Sequence, residues 1–245
     1  MANLIIDEGN TLCKIGVIDG KKMLFEESIA NFDLGVVVPL VEQFGIEQAI
    51  VASTRGGGAT IAEQLQGAVA KVLHFTSTTE VPIEIEYASR ETLGTDRIAL
   101  AVGVVCDGGL RNALIVDLGS AITFDLVENG IFKGGNISPG VEMRFKALNR
   151  YTGSLPLCHA SEIGEGLGNS TEEAIEQGVM QGILYEIEGY LKRLNAKNCK
   201  ILTIFCGGSA NYFVNRIKNA IFAPRKLMFT GLNKILEYNV SKGNI

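Results

Sequence analysis

Apolar residues occur along this chain in short runs and in alternation, and the two patterns together predict an α/β protein. The run at residues 3–7 predicts a buried strand, whereas the alternation at 11–18 predicts a strand with one face in the core. Stretches with apolar residues three or four positions apart predict helices. The predicted strands or extended segments are 3–7, 11–18, 22–25, 48–53, 82–87, 113–117, 121–127, 131–134 and 200–205. The predicted helices are 35–44, 61–71, 95–105, 141–149, 171–194, one from 211 and a short one near 234–238.

The opening segment is repeated in the second half of the chain. Leu4-Ile5-Ile6-Asp7-Glu8-Gly9-Asn10 is matched by Leu114-Ile115-Val116-Asp117-Leu118-Gly119-Ser120. Each copy reaches a turn pair, Asp19-Gly20 or Asn129-Gly130, at the same distance from its aspartate, and both pairs tolerate the positive φ angles of a type I′ hairpin turn. The repeat predicts two related domains, residues 1–112 and 113–245, with a cleft between them for a phosphate-bearing ligand.

Composition narrows the possible functions. A 245-residue chain with 47% hydrophobic and 20% charged residues fits a globular protein with a substantial core. The net charge of −5 and the lack of a long positive run argue against nucleic acid as a partner. No stretch predicts a membrane span, and Asp7 and Glu8 interrupt any signal-peptide pattern, so a cytoplasmic location is expected. Five scattered cysteines without a CxxC pair predict reduced thiols.

The two Asp-x-Gly loops are the first candidates for chemistry. A glycine directly after a strand lets the backbone come close to a phosphate, and its N–H groups can donate to it. The aspartate would then hold a cation or orient water. A single loop of this kind is more often a turn that the aspartate caps, but the repetition favours phosphate binding. Gly207-Gly208 is a weaker third site, either for an anionic ligand at a helix N-terminus or simply a tight turn.

The segment Gly94-Thr95-Asp96-Arg97 has two interpretations. Asp96 could cap the predicted helix, which composition alone favours, or it could accept a proton from a substrate hydroxyl while Arg97 grips an anionic substrate. Two common alternatives are excluded, because the sequence has neither the G-x-x-x-x-G-K-[ST] pattern of a P-loop nor a G-x-S-x-G nucleophile motif.

An ordered set of motifs over nearly the whole chain resembles the type III pantothenate kinases. The motifs are Asp7-Glu8-Gly9-Asn10-Thr11, Tyr87, Gly94-Thr95-Asp96-Arg97, Asp117-Leu118-Gly119-Ser120-Ala121-Ile122-Thr123, Gly134-Gly135-Asn136-Ile137-Ser138-Pro139-Gly140, Ser170-Thr171 and Gly207-Gly208. That family belongs to the acetate kinase, sugar kinase, Hsp70 and actin superfamily. The resemblance therefore implies the actin-like ATPase fold, with two duplicated ribonuclease H-like domains, in agreement with the repeat.

The resemblance also implies an activity and its residues. The activity is ATP-dependent phosphorylation of pantothenate to 4′-phosphopantothenate, the first step of coenzyme A biosynthesis, by a cytoplasmic homodimer. Implied ATP contacts, with Mg²⁺, are Asp7, Glu8, Gly9, Asn10, Thr11, Leu12, Cys13, Lys14 and Ser120. Asp117 would bind a monovalent cation, K⁺ or NH₄⁺. Implied pantothenate contacts are Tyr87, Gly94, Thr95, Asp96, Arg97 and Thr171, with Asp96 as the general base.

Several positions depart from the family pattern. Ala88-Ser89 replaces a common Asn-Pro, and Thr54-Arg55-Gly56-Gly57-Gly58 replaces valines and a proline, so both loops are predicted to be more mobile. Glu8 stands where relatives are often apolar; it either helps to bind magnesium or faces solvent, and solvent is favoured because most charged side chains stay exposed. Two other functions remain open, a non-catalytic transcriptional accessory factor and a kinase of another small acid or sugar.

Overall fold

The computed structural model describes residues 1–195, 201–218, 220–222 and 226–245, and its N-terminal half contains a five-stranded mixed sheet. The strand order is β3-β2-β1-β4-β5. β1 pairs antiparallel with β2 and parallel with β4, and β4 pairs parallel with β5. The strands are β1 Ala2–Glu8, β2 Cys13–Asp19, β3 Lys22–Ile29, β4 Gln48–Ser53 and β5 Lys71–Phe75. All but the last residue of β1 are buried, as expected for the central strand of a covered sheet.

A second five-stranded sheet repeats this arrangement. Its order is β8-β7-β6-β9-β10, with β6 antiparallel to β7 and parallel to β9. The strands are β6 Ala113–Leu118, β7 Ala121–Glu128, β8 Ile131–Pro139, β9 Leu202–Cys206 and β10 Ala220–Phe222. Each of β6 to β10 takes the place of β1 to β5 in turn, so the duplication predicted from the sequence is confirmed in the strand topology.

Six α-helices accompany the sheets in the described residues. They are α1 Leu34–Phe44, α2 Gly58–Leu65, α3 Thr95–Val102, α4 Val141–Tyr151, α5 Thr171–Asn195 and α6 Lys226–Lys242. Local sequence sets their starts. Asp33 accepts a hydrogen bond from the Gly35 N–H to cap α1, and Ser170 Oγ accepts from the Glu173 N–H at the start of α5. The capping pair predicted there is present, although Glu173 accepts in turn from the Asn169 N–H.

The chain divides into two compact units that do not follow a single cut. Unit 1 contains residues 1–111, 129–133 and the described residues from 226 onward, and unit 2 contains 112–128 together with the described part of 134–222. One division between the units falls at 111/112. However, α6 belongs to unit 1 rather than to the C-terminal half. The physical reason is close packing, because Gly231 of α6 lies against the backbone of Ala99 in α3.

Some sequence-based elements differ from the structure. The helix predicted at 61–71 ends at Leu65, and the strand β5 that follows was missed. The helix predicted from 211 is two 3₁₀ turns, Ala210–Tyr212 and Val214–Arg216, and α6 is much longer than the short helix expected. Residue 200 of the predicted strand 200–205 lies outside the described residues.

The two hairpin turns also differ from each other. Asn129 and Gly130 both have positive φ, 56° and 81°, as a type I′ turn requires. At the first turn only Gly20 has a positive φ, 58°, so the type I′ prediction is wrong there. The reason is that β2 ends at Asp19 itself and the turn is made by Gly20 and Lys21.

Candidate active site

The first Asp-x-Gly loop lies in unit 1, between β1 and β2. Asn10, Thr11 and Leu12 are exposed at its tip. The Gly9 N–H donates to the Leu12 carbonyl at 3.0 Å and closes the loop. Gly9 therefore uses its own N–H inside the loop, and the expected donation from this group to a phosphate is not available in this conformation. The exposed Asn10–Leu12 tip remains open to a ligand.

Asp7 and Lys14 form an ion pair that follows from the strand register. They lie directly opposite each other in the β1–β2 ladder, and Lys14 Nζ is 3.3 Å from Asp7 Oδ2. The Asp7 side chain is only 6% exposed, whereas that of Lys14 is 41% exposed. Burial raises the pKa of Asp7, and the charge of Asp96 adds to the rise, although Lys14 opposes it. The site therefore contains a buried carboxylate, and the ion pair with Lys14 stabilises its charged form.

Glu8 does not face solvent freely, which corrects the interpretation favoured from the sequence. Glu8 is the partner of Ser53 in the parallel β1–β4 ladder, and Ser53 Oγ donates to Glu8 Oε2 at 2.6 Å. The same Ser53 oxygen accepts from the N–H groups of Arg55 and Gly57 at 3.1 and 3.2 Å. A Cβ on Gly57 would lie 2.6 Å from Glu8 Oε2, so a side chain there would have to displace this carboxylate. Glu8 thus holds the 53–58 loop that was predicted to be mobile.

Cys13 lies in the core behind the loop. Its side chain has no exposed surface and belongs to the hydrophobic cluster of unit 1. Burial, with the neighbouring charges of Glu8 and Asp7, raises the pKa of Cys13 to about 11. The thiol is therefore neutral and buried, and an ATP contact from this residue could come only from its backbone.

The Gly94–Arg97 segment begins α3 in unit 1. Gly94 precedes the helix, Thr95 is its first residue, and Asp96 Oδ1 accepts from the Arg97 N–H at 2.8 Å. A Cβ on Gly94 would lie 2.5 Å from Asp96 Oδ1, so a side chain there would have to displace this carboxylate. Gly94 is the N-cap residue and α3 has no side-chain cap, so the interpretation of Asp96 as the N-cap is wrong. Asp96 is half-buried in the first turn and close enough to Asp7 to raise the pKa of that carboxyl, which leaves the catalytic interpretation as the one to test.

Arg97 is buried, at 5% exposure, and its guanidinium lies beside two aromatic rings. Its guanidinium carbon is 5.7 Å from the centroid of the Tyr87 ring and 5.8 Å from that of Phe132. The two rings are 6.2 Å apart and tilted by 59°. The structure therefore brings the predicted substrate residues Tyr87 and Arg97 together.

The second Asp-x-Gly loop lies in unit 2, after β6. Gly119 and Ser120 are exposed, and two glycines press against the backbone of the loop. A Cβ on Gly140 would lie 2.3 Å from the Ser120 carbonyl oxygen, and one on Gly207 would lie 2.6 Å from Asp117 Oδ1. Gly207 also has a φ of +85°. Gly140 and Gly207, which belong to two motifs singled out from the sequence, therefore pack directly against this loop.

Thr171 lies at a separate place in unit 2. It is exposed as the first residue of α5, on the wall of an apolar cavity of about 870 Å³ between α4 and α5. The wall of this cavity includes neither Asp117 nor Ser120. Within unit 2, the structure does not join Thr171 to the second loop.

Three residues of these sites were given no role from the sequence. They are Ser53, Phe132 and Thr123, although Thr123 lies within the motif that starts at Asp117. Ser53 and Thr123 could have been found from register, because they pair with Glu8 and with Asp117 across neighbouring strands. Phe132 carries no motif signal and is defined only by tertiary packing.

Comparisons with known proteins agree with this arrangement. Among solved structures, a conserved Campylobacter jejuni protein assigned to the Baf family of transcriptional activators is 21% identical, with a TM-score of 0.64 over 97% of this chain and 99% of that one. A ROK hexokinase of Thermus thermophilus is 13% identical, with a TM-score of 0.51 over 98% and 100%. The class of protein is therefore an α/β protein with the actin-like ATPase fold that sugar kinases share.

The sequence comparisons are more specific. A family model described as type III pantothenate kinase matches residues 3–193. A type III pantothenate kinase of Bacteroides fragilis is 38% identical over 97% of this chain and 98% of its own length, and one of Porphyromonas gingivalis is 37% identical over 97% and 99%. The chain belongs to the type III pantothenate kinase family, and the resemblance seen in the sequence is confirmed. Across the part of the chain that the structure describes, no helix is long and apolar enough to span a membrane.

Proposed function

We propose that this protein is a phosphotransferase that moves the γ-phosphoryl group of ATP to the primary hydroxyl of pantothenate. The product would be 4′-phosphopantothenate, in the first step of coenzyme A biosynthesis. The observation that carries the proposal is membership of the family over nearly the full length of the chain and of its relatives. The retained Asp96 and Arg97 support a catalytic protein over the non-catalytic accessory factor considered from the sequence.

The residues of the first loop fit a nucleotide with Mg²⁺. Mg²⁺ takes oxygen ligands, and the Asp7 carboxylate with the exposed side chains of Asn10 and Thr11 offers them. A cation beside Asp7 would favour the charged form that burial disfavours. Lys14 would contact a phosphate and Ser120 would add a second contact. Mg²⁺ would neutralise phosphate charge, which is the main need of phosphoryl transfer.

The residues around Asp117 fit a monovalent cation, K⁺ or NH₄⁺. In the first copy of the repeat the aspartate faces Lys14, whereas Asp117 faces the neutral Thr123 in the β6–β7 ladder. Within the described part of the chain, Thr123 Oγ1 is buried and has no hydrogen-bond partner. A hydroxyl and a carboxylate on one face of the ladder are suitable oxygen donors for such a cation.

On the substrate side, Asp96 would accept the proton of the pantothenate hydroxyl late in the transfer. Arg97 and Tyr87 would hold the substrate, with the guanidinium facing its carboxylate. Gly94, Thr95 and Thr171 would complete the contacts. In this proposal the active form is a homodimer. Thr171 would contact pantothenate from the start of α5.

The direct test is incubation with ATP, MgCl₂, KCl and pantothenate, with phosphopantothenate measured by mass spectrometry. A folded protein that forms no product would overturn the proposal. A panel of other small acids and sugars, compared by kcat/KM, distinguishes a kinase of a different substrate. Omission of K⁺ and NH₄⁺ should lower the rate, and light scattering should report a dimer.

The variant Asp96→Asn tests the general base. It should lower kcat by roughly 10²–10⁴-fold, because the amide cannot accept the proton, while its oxygen can still accept the hydrogen bond from the Arg97 N–H. Circular dichroism and the thermal midpoint should match those of the wild type. A nearly normal kcat would mean that Asp96 serves only as a hydrogen-bond acceptor in the first turn of α3.

A further inference from the structure

Phe132 lies where the residues proposed to bind the substrate acid meet. It is the second residue of β8, has no exposed surface, and belongs to unit 1. Together with Tyr87 and Arg97 it forms a cluster that we call the arginine cage, in which both rings lie within 6 Å of the guanidinium carbon. A cation at such distances from an aromatic face is attracted to it, and the attraction is greater where water is excluded.

The backbone of Phe132 also sets the position of Tyr87. The Glu86 N–H donates to the Phe132 carbonyl at 2.9 Å, and the Phe132 N–H donates to the Glu84 carbonyl at 3.0 Å. These bonds form an isolated parallel bridge between Ile85 and Phe132. Lys133 adds an ion pair to Glu86 at 2.7 Å. Because Tyr87 directly follows this bridge, its ring is anchored to the strand that carries Phe132.

A second set of contacts fixes the other side of Tyr87. Arg90 donates from Nε to the Ser77 carbonyl at 2.7 Å and from Nη2 to the Thr79 carbonyl at 3.1 Å. Ser77 Oγ donates back to the Glu91 carbonyl at 2.9 Å. The loop that carries Ala88-Ser89 in place of Asn-Pro is therefore held on both sides by tertiary contacts rather than by a proline.

We infer that Phe132 is a positioning residue for the acid-binding arginine, a role that rests on the proposed function of Arg97. Arginine binds a carboxylate best when its planar guanidinium is already oriented for two parallel bonds. Contact with the two rings restricts the guanidinium before the substrate arrives, and this lowers the entropy lost on binding. Phe132 thereby sets affinity for a small carboxylic acid without touching it.

The test uses Phe132→Leu and a series of one to three fluorine atoms at the Phe132 ring. Fluorine withdraws ring electron density and weakens attraction for a cation while the shape of the ring is nearly kept. The KM for pantothenate should rise stepwise with fluorination and by about 3- to 30-fold in Phe132→Leu. The KM for ATP should change by less than about twofold, since only acid binding is affected. The same fluorine series at Phe145, equally buried but in unit 2, is the control.

A second readout does not depend on catalysis. The Nε–H resonance of Arg97, assigned by its loss in Arg97→Lys, should carry a ring-current shift that moves toward the normal value in Phe132→Leu. The inference would be overturned if the wild type is active but its KM for pantothenate does not change on fluorination at Phe132. It would also be overturned if fluorination at Phe145 changes that KM equally. A wild type inactive on pantothenate and on every acid tested would overturn the proposed function instead, and the resonance would still report whether the arginine cage exists.

Discussion

At the scale of single residues, the site contains a carboxylate, Asp7, whose charged form is disfavoured by its burial in the fold. Asp7 is almost fully buried at the end of the central strand, and desolvation raises the pKa of its carboxyl. A group with a raised folded-state pKa makes folding less favourable as the pH rises through that pKa, because the unfolded state ionises more easily. The carboxylate is therefore kept at a cost to stability, as is common for groups that bind cations.

The variant Asp7→Asn should accordingly separate stability from activity. It removes the buried charge at constant shape, so the free energy of unfolding at pH 7 should increase relative to the wild type. The difference should shrink as the pH is lowered and Asp7 becomes protonated. The rate of phosphoryl transfer should fall by roughly 10²–10³-fold, the loss expected when a key electrostatic group is removed. Urea titrations from pH 4 to 8, together with kcat, measure both effects. An unchanged or lower stability at pH 7 would mean that Lys14 fully compensates Asp7.

Glu8 and Ser53 form a second pair whose role can be isolated by a double-mutant cycle. If Glu8 acts through Ser53, the effects of Glu8→Ala and Ser53→Ala on the free energy of unfolding should be non-additive, by about 1–2 kcal/mol. Hydrogen exchange at the Arg55 and Gly57 amides should accelerate in both variants, since Ser53 Oγ accepts from both.

The same two variants, Glu8→Ala and Ser53→Ala, also test whether Glu8 helps to bind magnesium. A magnesium ligand would give a higher Mg²⁺ requirement in Glu8→Ala but not in Ser53→Ala. Glu26→Ala, at an exposed glutamate on β3, controls for the loss of one negative charge. Additive stability effects with a changed Mg²⁺ requirement would remove the positioning role.

At the scale of elements, glycine packing sets the shape of the second phosphate loop. Gly207→Ala would require φ of +85° and would place a methyl group 2.5 Å from the Leu118 carbonyl carbon. The φ angle alone should cost about 1–2 kcal/mol of stability. Gly208→Ala is the matched control, because a Cβ there meets nothing within 4 Å. Thermal unfolding compares the two, and equal midpoints would show that the loop can move away from Gly207.

The repeated elements could be predicted from the sequence because their signals are local. Two apolar runs, each followed by Asp-x-Gly and a turn pair, were enough to predict the duplicated sheets that the strand order confirms. The short β5 was missed, and its first residue Lys71 was given to the predicted helix 61–71, because a five-residue segment shows too little periodicity and only pairing with β4 decides. Phe132 could not be assigned, since its bridge to Ile85 joins segments far apart in the chain.

At the scale of the whole molecule, the two compact units do not coincide with the N-terminal and C-terminal halves of the chain. Unit 1 is built from three separate segments, the last of which is α6, packed on α3. Leu232, Ile235 and Leu236 of this helix are fully buried. Contacts this close cannot be inferred from sequence periodicity, which predicted only a short helix at the same place.

Gly231→Ala tests this packing. A Cβ at Gly231 would lie 1.9 Å from the Ala99 carbonyl oxygen, so α6 must shift and unfolding should become easier by about 1–3 kcal/mol. Gly189→Ala, in open space on α5, is the helix control and should instead stabilise by about 0.5–1 kcal/mol through helix propensity. Urea midpoints give both values. A Gly231→Ala protein as stable as the wild type would show that α6 is only loosely attached.

The late arrival of α6 has a consequence for biosynthesis. A ribosome releases residues 1–111 well before α6. The surface of α3 that packs against α6 therefore stays exposed while all of unit 2 is translated. Nascent chains stalled before residue 226 should therefore expose apolar surface and recruit chaperones, although every residue of the first phosphate loop has already been made. Quality control of this protein would then depend on a helix that carries none of its proposed catalytic groups.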